Sequence, residues 1–118
     1  MIVTELSLIV SCVASSAPLE KIDQALRITN LSSFFGCNIF SSYIVQSWKP
    51  EPDLFLHAAK TMNYQPAECA VVEDSEVGLI AATRAGMKTY FFNPENLAPP
   101  INNVISFNNM KQLPSLLR

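Results

Sequence analysis

The sequence is poor in several residue types that carry recognisable chemistry. Charged residues make up only 15% of its 118 residues, and the eight lysines and arginines are scattered, so no basic stripe is available for a nucleic-acid backbone. The single histidine and three cysteines without a C-x-x-C pair indicate neither a zinc site nor a disulfide framework. No run approaches the roughly 18 consecutive apolar residues that would span a bilayer. We therefore expect neither nucleic acid nor membrane as a partner.

What the sequence has in excess is apolar character, at 49% of its residues. The length predicts one domain over residues 1–118, and the surplus of apolar residues suggests that part of its surface is buried against a partner. Cys12, Cys37 and Cys69 are interpreted as buried, reduced thiols, which favours a cytoplasmic protein.

Apolar runs rich in β-formers alternate with helix-patterned segments, as in βαβ units. The run over 6–14 is nearly continuous in apolar residues, which is typical of a strand covered on both faces of a parallel sheet. Further strands are predicted over 38–42, 69–72, 88–92 and 104–107, and helices from Pro18, from Pro52 to about Asn63, over 76–85 and over 109–117. Gly86 is expected to follow the third helix as its C′ residue.

Polar residues follow two of these predicted strands, where a parallel α/β sheet binds its ligands. Ser15 and Ser16 precede the Pro18 helix, so their hydroxyls and the unpaired N–H groups there could hold a phosphate. The alternative is that one serine only caps the helix. Both interpretations remain open from these residues alone.

Glu73 and Asp74 follow the strand over 69–72 and suit a magnesium ion, which binds one or two carboxylates together with water and a substrate phosphate. The alternative is that Asp74 or Ser75 caps the next helix and Glu73 is solvated. Lys49 lies between these places in a loop stiffened by two prolines, where its ammonium could reach a phosphate, although a lone lysine is usually solvated.

Three segments occur in order with this strand-to-helix placement: VASSAPLEKI (13–22), WKPEPDLFLHAA (48–59) and VVEDSEVGLIAATRAGM (71–87). Together they resemble the haloacid dehalogenase superfamily, in its phosphoglycolate-phosphatase and β-phosphoglucomutase-like branch, near phosphatases that act on 6-phosphogluconate. The resemblance implies an α/β fold, a Rossmann-like three-layer sandwich with a parallel sheet. It also implies that Ser15 and Lys49 act in catalysis, that Ser15, Ser16 and Lys49 bind phosphate, and that Glu73 and Asp74 bind Mg²⁺.

The sequence departs from the family pattern at the nucleophile. Family members begin with a central strand ending in D-x-D, whose first aspartate attacks phosphorus, and continue with a helical cap. The aspartates here are Asp23, Asp53 and Asp74, and no two are separated by a single residue. We therefore expect a core domain without the first strand and the cap, with weak or vestigial magnesium binding and little or no phosphatase activity alone.

The missing central strand would leave two apolar edges, which proteins seldom leave open. Direct pairing of the two edges, or a homodimer, is expected in preference to a graft from residues 1–10, because ten residues can hardly supply a turn and another full strand. Three functions follow: a degenerate phosphohydrolase that still binds phosphate or a small phosphorylated metabolite, a non-catalytic homo-oligomeric module, or half of a split sugar-phosphate phosphatase with a strand-donating partner.

Overall fold

A computed structural model describes residues 2–5, 8–35 and 38–117, without the side chains of residues 2–5, 8, 9, 33 and 34. The strands found there are β1 Ile2–Glu5, β2 Leu8–Ser11, β3 Val13–Ser15, β4 Ile39–Ser41, β5 Cys69–Glu73, β6 Lys88–Phe92 and β7 Ile105–Phe107. Five of them form a sheet in the order β2-β1-β5-β6-β7, and β3 pairs with β4 in a second, two-stranded sheet. Pairing is parallel from β5 to β7 and between β3 and β4, which confirms the predicted α/β fold.

The helices are α1 Leu19–Ile28, α2 Ser32–Phe35, α3 Ser42–Val45, α4 Asp53–Thr61, α5 Glu76–Arg84 and α6 Leu113–Leu116, with 3-10 turns at Pro66–Glu68 and Met110–Gln112. The short helix predicted over 109–117 is confirmed in part, since this tail contains the 3-10 turn Met110–Gln112 followed by the short helix α6. In the described residues, no helix has the length and apolar character needed to cross a membrane.

The strand predicted over 6–14 is divided in the structure. Leu6 and Ser7 lie outside the described residues, and the residues that follow form β2 and β3 on either side of Cys12. Strand β2 is antiparallel to β1, whereas β3 is parallel to β4. The continuous apolar run could not reveal this division, because both halves are apolar and only their partners differ.

Direct pairing of the two apolar edges was expected and is wrong, and so is the expectation that residues 1–10 do not contribute to the sheet. Residues at the N-terminus form a hairpin in which β1 pairs with β2 and, antiparallel, with β5. Two strands of four residues joined by two residues are enough for such a hairpin, so ten residues suffice. The contact with β5 is short, since Ile2 lies opposite Ala70 and Val3 opposite Cys69. Among the described strands, none pairs with this edge of β5 over 71–73.

The main core lies between the sheet and helices α4 and α5. Helix α4 buries Leu54, Phe55, Ala58 and Ala59. These side chains form one cluster with Cys12, Phe40, Cys69, Val71, Ala81, Ala82, Ala85 and Met87. A smaller cluster around Ala70, Tyr90 and Phe107 covers the other face of the sheet with help from α6. Burial in the main cluster fixes the helices against the strands whose carboxyl ends carry the candidate residues.

The ends of these helices follow local sequence signals. Helix α4 begins after Pro52 and ends before Asn63, which has a left-handed φ of 66°. Gly86 follows α5 with φ of 77°, so the predicted C′ glycine is confirmed. In α1, Ile22 and Leu26 are buried, whereas Leu19 is 39% exposed.

Candidate functional site at the carboxyl ends of β3 and β5

The Lys49 side chain connects two strands that are not paired with each other. Its Nζ donates to the Glu73 Oε1 atom at the end of β5 at 2.5 Å, and it lies 3.5 Å from the carbonyl oxygen of Ala14 in β3. The two charged side chains are each only 11% exposed. The ammonium also lies 5.2 Å from the centre of the Phe55 ring, within the range of a cation–π contact. Lys49 is therefore not the solvated lysine that its sequence context alone would favour.

The Glu73 carboxylate is held at the beginning of α5. Ser75 is the N-cap of this helix, since its Oγ accepts the Gly78 N–H at 3.2 Å, and the same hydroxyl lies 3.4 Å from Glu73 Oε2. The alternative interpretation of these residues is confirmed for Ser75, which caps the helix. It is wrong for Glu73, whose side chain is mostly buried and not solvated. The positive end of the helix favours a carboxylate in this position.

Ser15 ends β3 next to the Ala14 carbonyl that Lys49 approaches. Its Oγ accepts the Ala17 N–H at 3.1 Å, and the Ser41 hydroxyl donates to the Ala17 carbonyl at 2.6 Å, which fixes the turn. In the described part of the chain, no acceptor takes the Ser15 hydroxyl proton, so this proton remains available to a ligand. Ser16 is exposed one residue further on.

Asp74 is exposed and borders a surface hollow with Val72, Phe92 and Met110. Within the described residues, no group of three or more His, Cys, Asp or Glu side chains converges as a metal site would require. Of the two predicted magnesium ligands, Glu73 is paired with Lys49 and Asp74 is solvated. One solvated carboxylate and one paired carboxylate are too few protein ligands for a tight magnesium site.

The structure thus brings Lys49 and Glu73 together beside the carbonyl of Ala14, the residue before Ser15. We call this place the carboxyl-end corner, and Asp74 follows Glu73 in the chain. Sequence reasoning missed three of its components: the Ala14 carbonyl, the Phe55 ring and Gly78. Phe55 lies on α4 and Gly78 on α5, and neither residue type carries an ionisable or hydroxyl side chain that would mark it as part of a site. The Ala14 carbonyl could not be found from sequence, because its direction depends on which neighbours β3 pairs with.

Comparisons with known proteins agree with the resemblance drawn from the motifs. The chain is 36% identical over 107 residues to 6-phosphogluconate phosphatase from Escherichia coli (strain K12), an alignment that covers 89% of this chain and 48% of that protein. Among solved structures, a haloacid dehalogenase-like protein of unknown function from Agrobacterium tumefaciens superposes with a TM-score of 0.80 at 27% identity, covering 90% of this chain and 52% of the other.

A hydrolase of the haloacid dehalogenase family from Deinococcus radiodurans, solved with bound phosphate and sodium, superposes with a TM-score of 0.75 at 24% identity. The superposition covers 90% of this chain and 50% of that protein. The chain therefore spans about half the length of the relatives that it matches. Residues 8–86, more than half of the chain, match the family model of haloacid dehalogenase-like hydrolases, and the chain therefore belongs to this family.

Proposed function

We propose that this domain binds inorganic phosphate or the phosphoryl group of a small phosphorylated metabolite at the carboxyl-end corner. The observation that carries the proposal is the position of the Lys49 ammonium, which is largely buried between the end of β3 and the Glu73 carboxylate. A cation withdrawn from solvent in this way interacts more strongly with an anion than a solvated one does.

Hydrogen-bond donors remain for such an anion. An ammonium has three N–H donors, and Glu73 and the Ala14 carbonyl account for two of them. The Ser15 hydroxyl proton and the Ser16 hydroxyl lie at the start of α1, where the first backbone N–H groups of the helix are also without intrahelical partners. The family relationship supports the same assignment, with Ser15 and Lys49 holding the phosphoryl group.

Magnesium belongs to this proposal in a secondary role. Asp74, with a smaller contribution from Glu73, would hold Mg²⁺ mainly when phosphate oxygens and water complete its shell. The ion would supply charge neutralisation for the phosphoryl group. Because only one of the two carboxylates is unpaired, we expect weak magnesium binding in the absence of phosphate.

We further propose that this chain alone turns over phosphate esters slowly or not at all. Covalent phosphoryl transfer needs a positioned nucleophile and a general base. Asp23 and Asp53 lie on α1 and α4, where Asp23 is paired with Arg27, and Asp74 is solvated. No D-x-D sequence occurs among the 118 residues that could provide the nucleophile of the family.

A phosphate titration followed by NMR tests the binding. Backbone signals of Ser15, Ser16 and Lys49 are expected to shift saturably with inorganic phosphate at constant ionic strength. Lys49→Met should abolish these shifts, whereas Lys60→Met, which removes an exposed lysine of α4, should leave them unchanged. Shifts that survive Lys49→Met, or that equimolar chloride reproduces, would contradict a phosphate site at this corner.

An assay with p-nitrophenyl phosphate and Mg²⁺ tests the predicted loss of turnover. The expected result is no rate above that of the buffer. Robust turnover that disappears in Glu73→Ala would mean that the nucleophile has been misjudged. Turnover that is unaffected by Glu73→Ala would point to a contaminating phosphatase.

A second candidate function is a homo-oligomeric interaction module, favoured by the incomplete sheet. Strand β1 covers β5 only at Cys69 and Ala70, and in the described residues the next three positions of this edge lack a strand partner. A second copy, or a partner chain that donates a strand, would complete the hydrogen bonding of this edge. Light scattering at micromolar concentration distinguishes these cases, since a homodimer has twice the chain mass and a strictly monomeric protein excludes self-association as its function.

A further inference from the structure

Gly78 lies against the Glu73 carboxylate more closely than any other residue type would allow. A Cβ atom at position 78 would lie 2.2 Å from Glu73 Cδ and Oε2 and 2.7 Å from Oε1. Real Cβ atoms do not approach other atoms to such distances, so a side chain at position 78 and the present carboxylate cannot coexist. The glycine is buried in the first turn of α5, with its N–H bonded to the Ser75 cap.

This contact has a specific consequence because of what the carboxylate does on its other side. Glu73 Oε1 accepts the Lys49 ammonium, and Oε2 faces the Ser75 hydroxyl. The atoms that an added Cβ would meet are the far end of a flexible side chain, so the carboxylate would move and the helix would stay in place. Moving it means separating it from Lys49.

We infer that Gly78 is a positioning residue of the carboxyl-end corner, and that the absence of a side chain there lets the Glu73 carboxylate reach Lys49. The spacing of the E-D-S-x-x-G segment then has a physical meaning. Ser75 turns the chain from β5 into α5, and three residues later the helix presents its bare backbone to the carboxylate. The inference concerns the ion pair itself, so it stands or falls independently of phosphate binding.

Chemical labelling of lysines in the folded full-length chain tests the inference. With an amine-reactive ester at trace extent, followed by mass spectrometry, Lys49 should react slowly in the unmodified protein because it is buried and ion-paired. In Gly78→Ala its rate should rise about tenfold, the change expected for a disturbance of roughly 1.4 kcal/mol. Lys60 and Lys111, both exposed, serve as internal references with unchanged rates.

A double-variant cycle separates this effect from a general loosening of the helix. Glu73→Asp shortens the side chain by one methylene and withdraws its carboxylate from position 78. Adding Gly78→Ala to Glu73→Asp should therefore change the Lys49 rate by less than about twofold. Val77→Ala, which alters an exposed neighbour on α5, should have no effect in either background.

Two outcomes would overturn the inference. One is a folded Gly78→Ala protein in which Lys49 is labelled as slowly as before. The other is an equal rise in the Lys49 labelling rate whether position 73 carries glutamate or aspartate. The melting temperature of Gly78→Ala should fall only slightly, because the preference of a helix for alanine over glycine offsets part of the cost of disturbing the ion pair. If this variant alone does not fold, the inference requires that the double variant folds with a slowly reacting Lys49, and failure of both would overturn it.

Discussion

Two ion pairs in different regions of the molecule have similar chemistry and different surroundings. At the carboxyl-end corner, Lys49 and Glu73 are 11% exposed, come from different elements and are in contact with Phe55, Ser75 and Gly78. On α1, Asp23 and Arg27 lie one helical turn apart, and the Arg27 Nη2 atom is 3.0 Å from Asp23 Oδ2. Their side chains are 74% (Arg27) and 47% (Asp23) exposed. A contact distance therefore says little about either pair until its burial is known.

The difference follows from solvent. Water screens the α1 pair and stabilises each partner alone, so this pair adds a few tenths of a kcal/mol at most. At the corner, either charge without its partner would remain in a place that water reaches poorly, which makes loss of one partner costly. A buried pair of this kind is nevertheless weak evidence for stability, because the loss of hydration on burial offsets the attraction between the charges.

The largest effect is expected at Phe55, whose buried ring lies against the Lys49 ammonium. Phe55→Ala should lower the free energy of unfolding by about 3–5 kcal/mol, because it leaves a cavity in the main core and removes the ring below Lys49. Urea denaturation measures the loss. Phe55→Leu retains most of the side-chain volume and should lower the free energy of unfolding by less than half as much. If both variants lower it equally, the ring does not stabilise the protein by filling space in the core.

Breaking each ion pair compares the two regions directly. Glu73→Ala should cost roughly 2–3 kcal/mol in the same denaturation experiment, because the Lys49 ammonium is left without its carboxylate in a mostly buried position. Asp23→Ala is the matched control, with an expected cost below about 0.5 kcal/mol. The contrast between buried and exposed pairs fails if the two variants lose the same stability.

A smaller effect is expected at the cap that joins the corner to α5. Ser75→Ala removes the acceptor of the Gly78 N–H and the hydroxyl beside Glu73, and it should cost about 1 kcal/mol. Ser75→Thr keeps the hydroxyl and should cost clearly less. Thermal unfolding followed by circular dichroism checks both, and a threonine variant as unstable as the alanine variant would argue against the capping role.

The smallest effect concerns pH and the thiols of the core below the corner. Burial raises the pKa of Cys12 and of Cys69, and for Cys69 the nearby Cys12 and Glu68 raise it further. As the pH rises past their ordinary value of 9.0, the unfolded chain loses thiol protons that the folded chain keeps, so stability should fall with rising pH. Replacing both cysteines by alanine should flatten this slope between pH 8 and 10, and an unchanged slope would assign it to other groups.

Much of the fold could be predicted because its signals are local. Strands β5 and β6 and helices α4 and α5 are marked by short apolar runs, by Pro52 and Ser75 at helix beginnings and by Gly86 at a helix end. The N-terminal hairpin was not predicted, because its place beside β5 depends on pairing between residues that lie far apart in the chain, such as Ile2 and Ala70. The two short helices α2 and α3 carry too few residues for a periodic pattern.

The sequence by itself determined the family, the order of the strands and longer helices from α1 onward, and the residue types at the carboxyl-end corner, because motif spacing and strand-to-helix placement are properties of neighbouring residues. Only the tertiary structure decided that Glu73 pairs with Lys49 instead of being solvated, that Asp74 stays outside, and that Gly78 and the Ala14 carbonyl belong to the corner. These contacts join segments up to 35 residues apart, and their geometry follows from strand pairing and core packing, which no local pattern encodes.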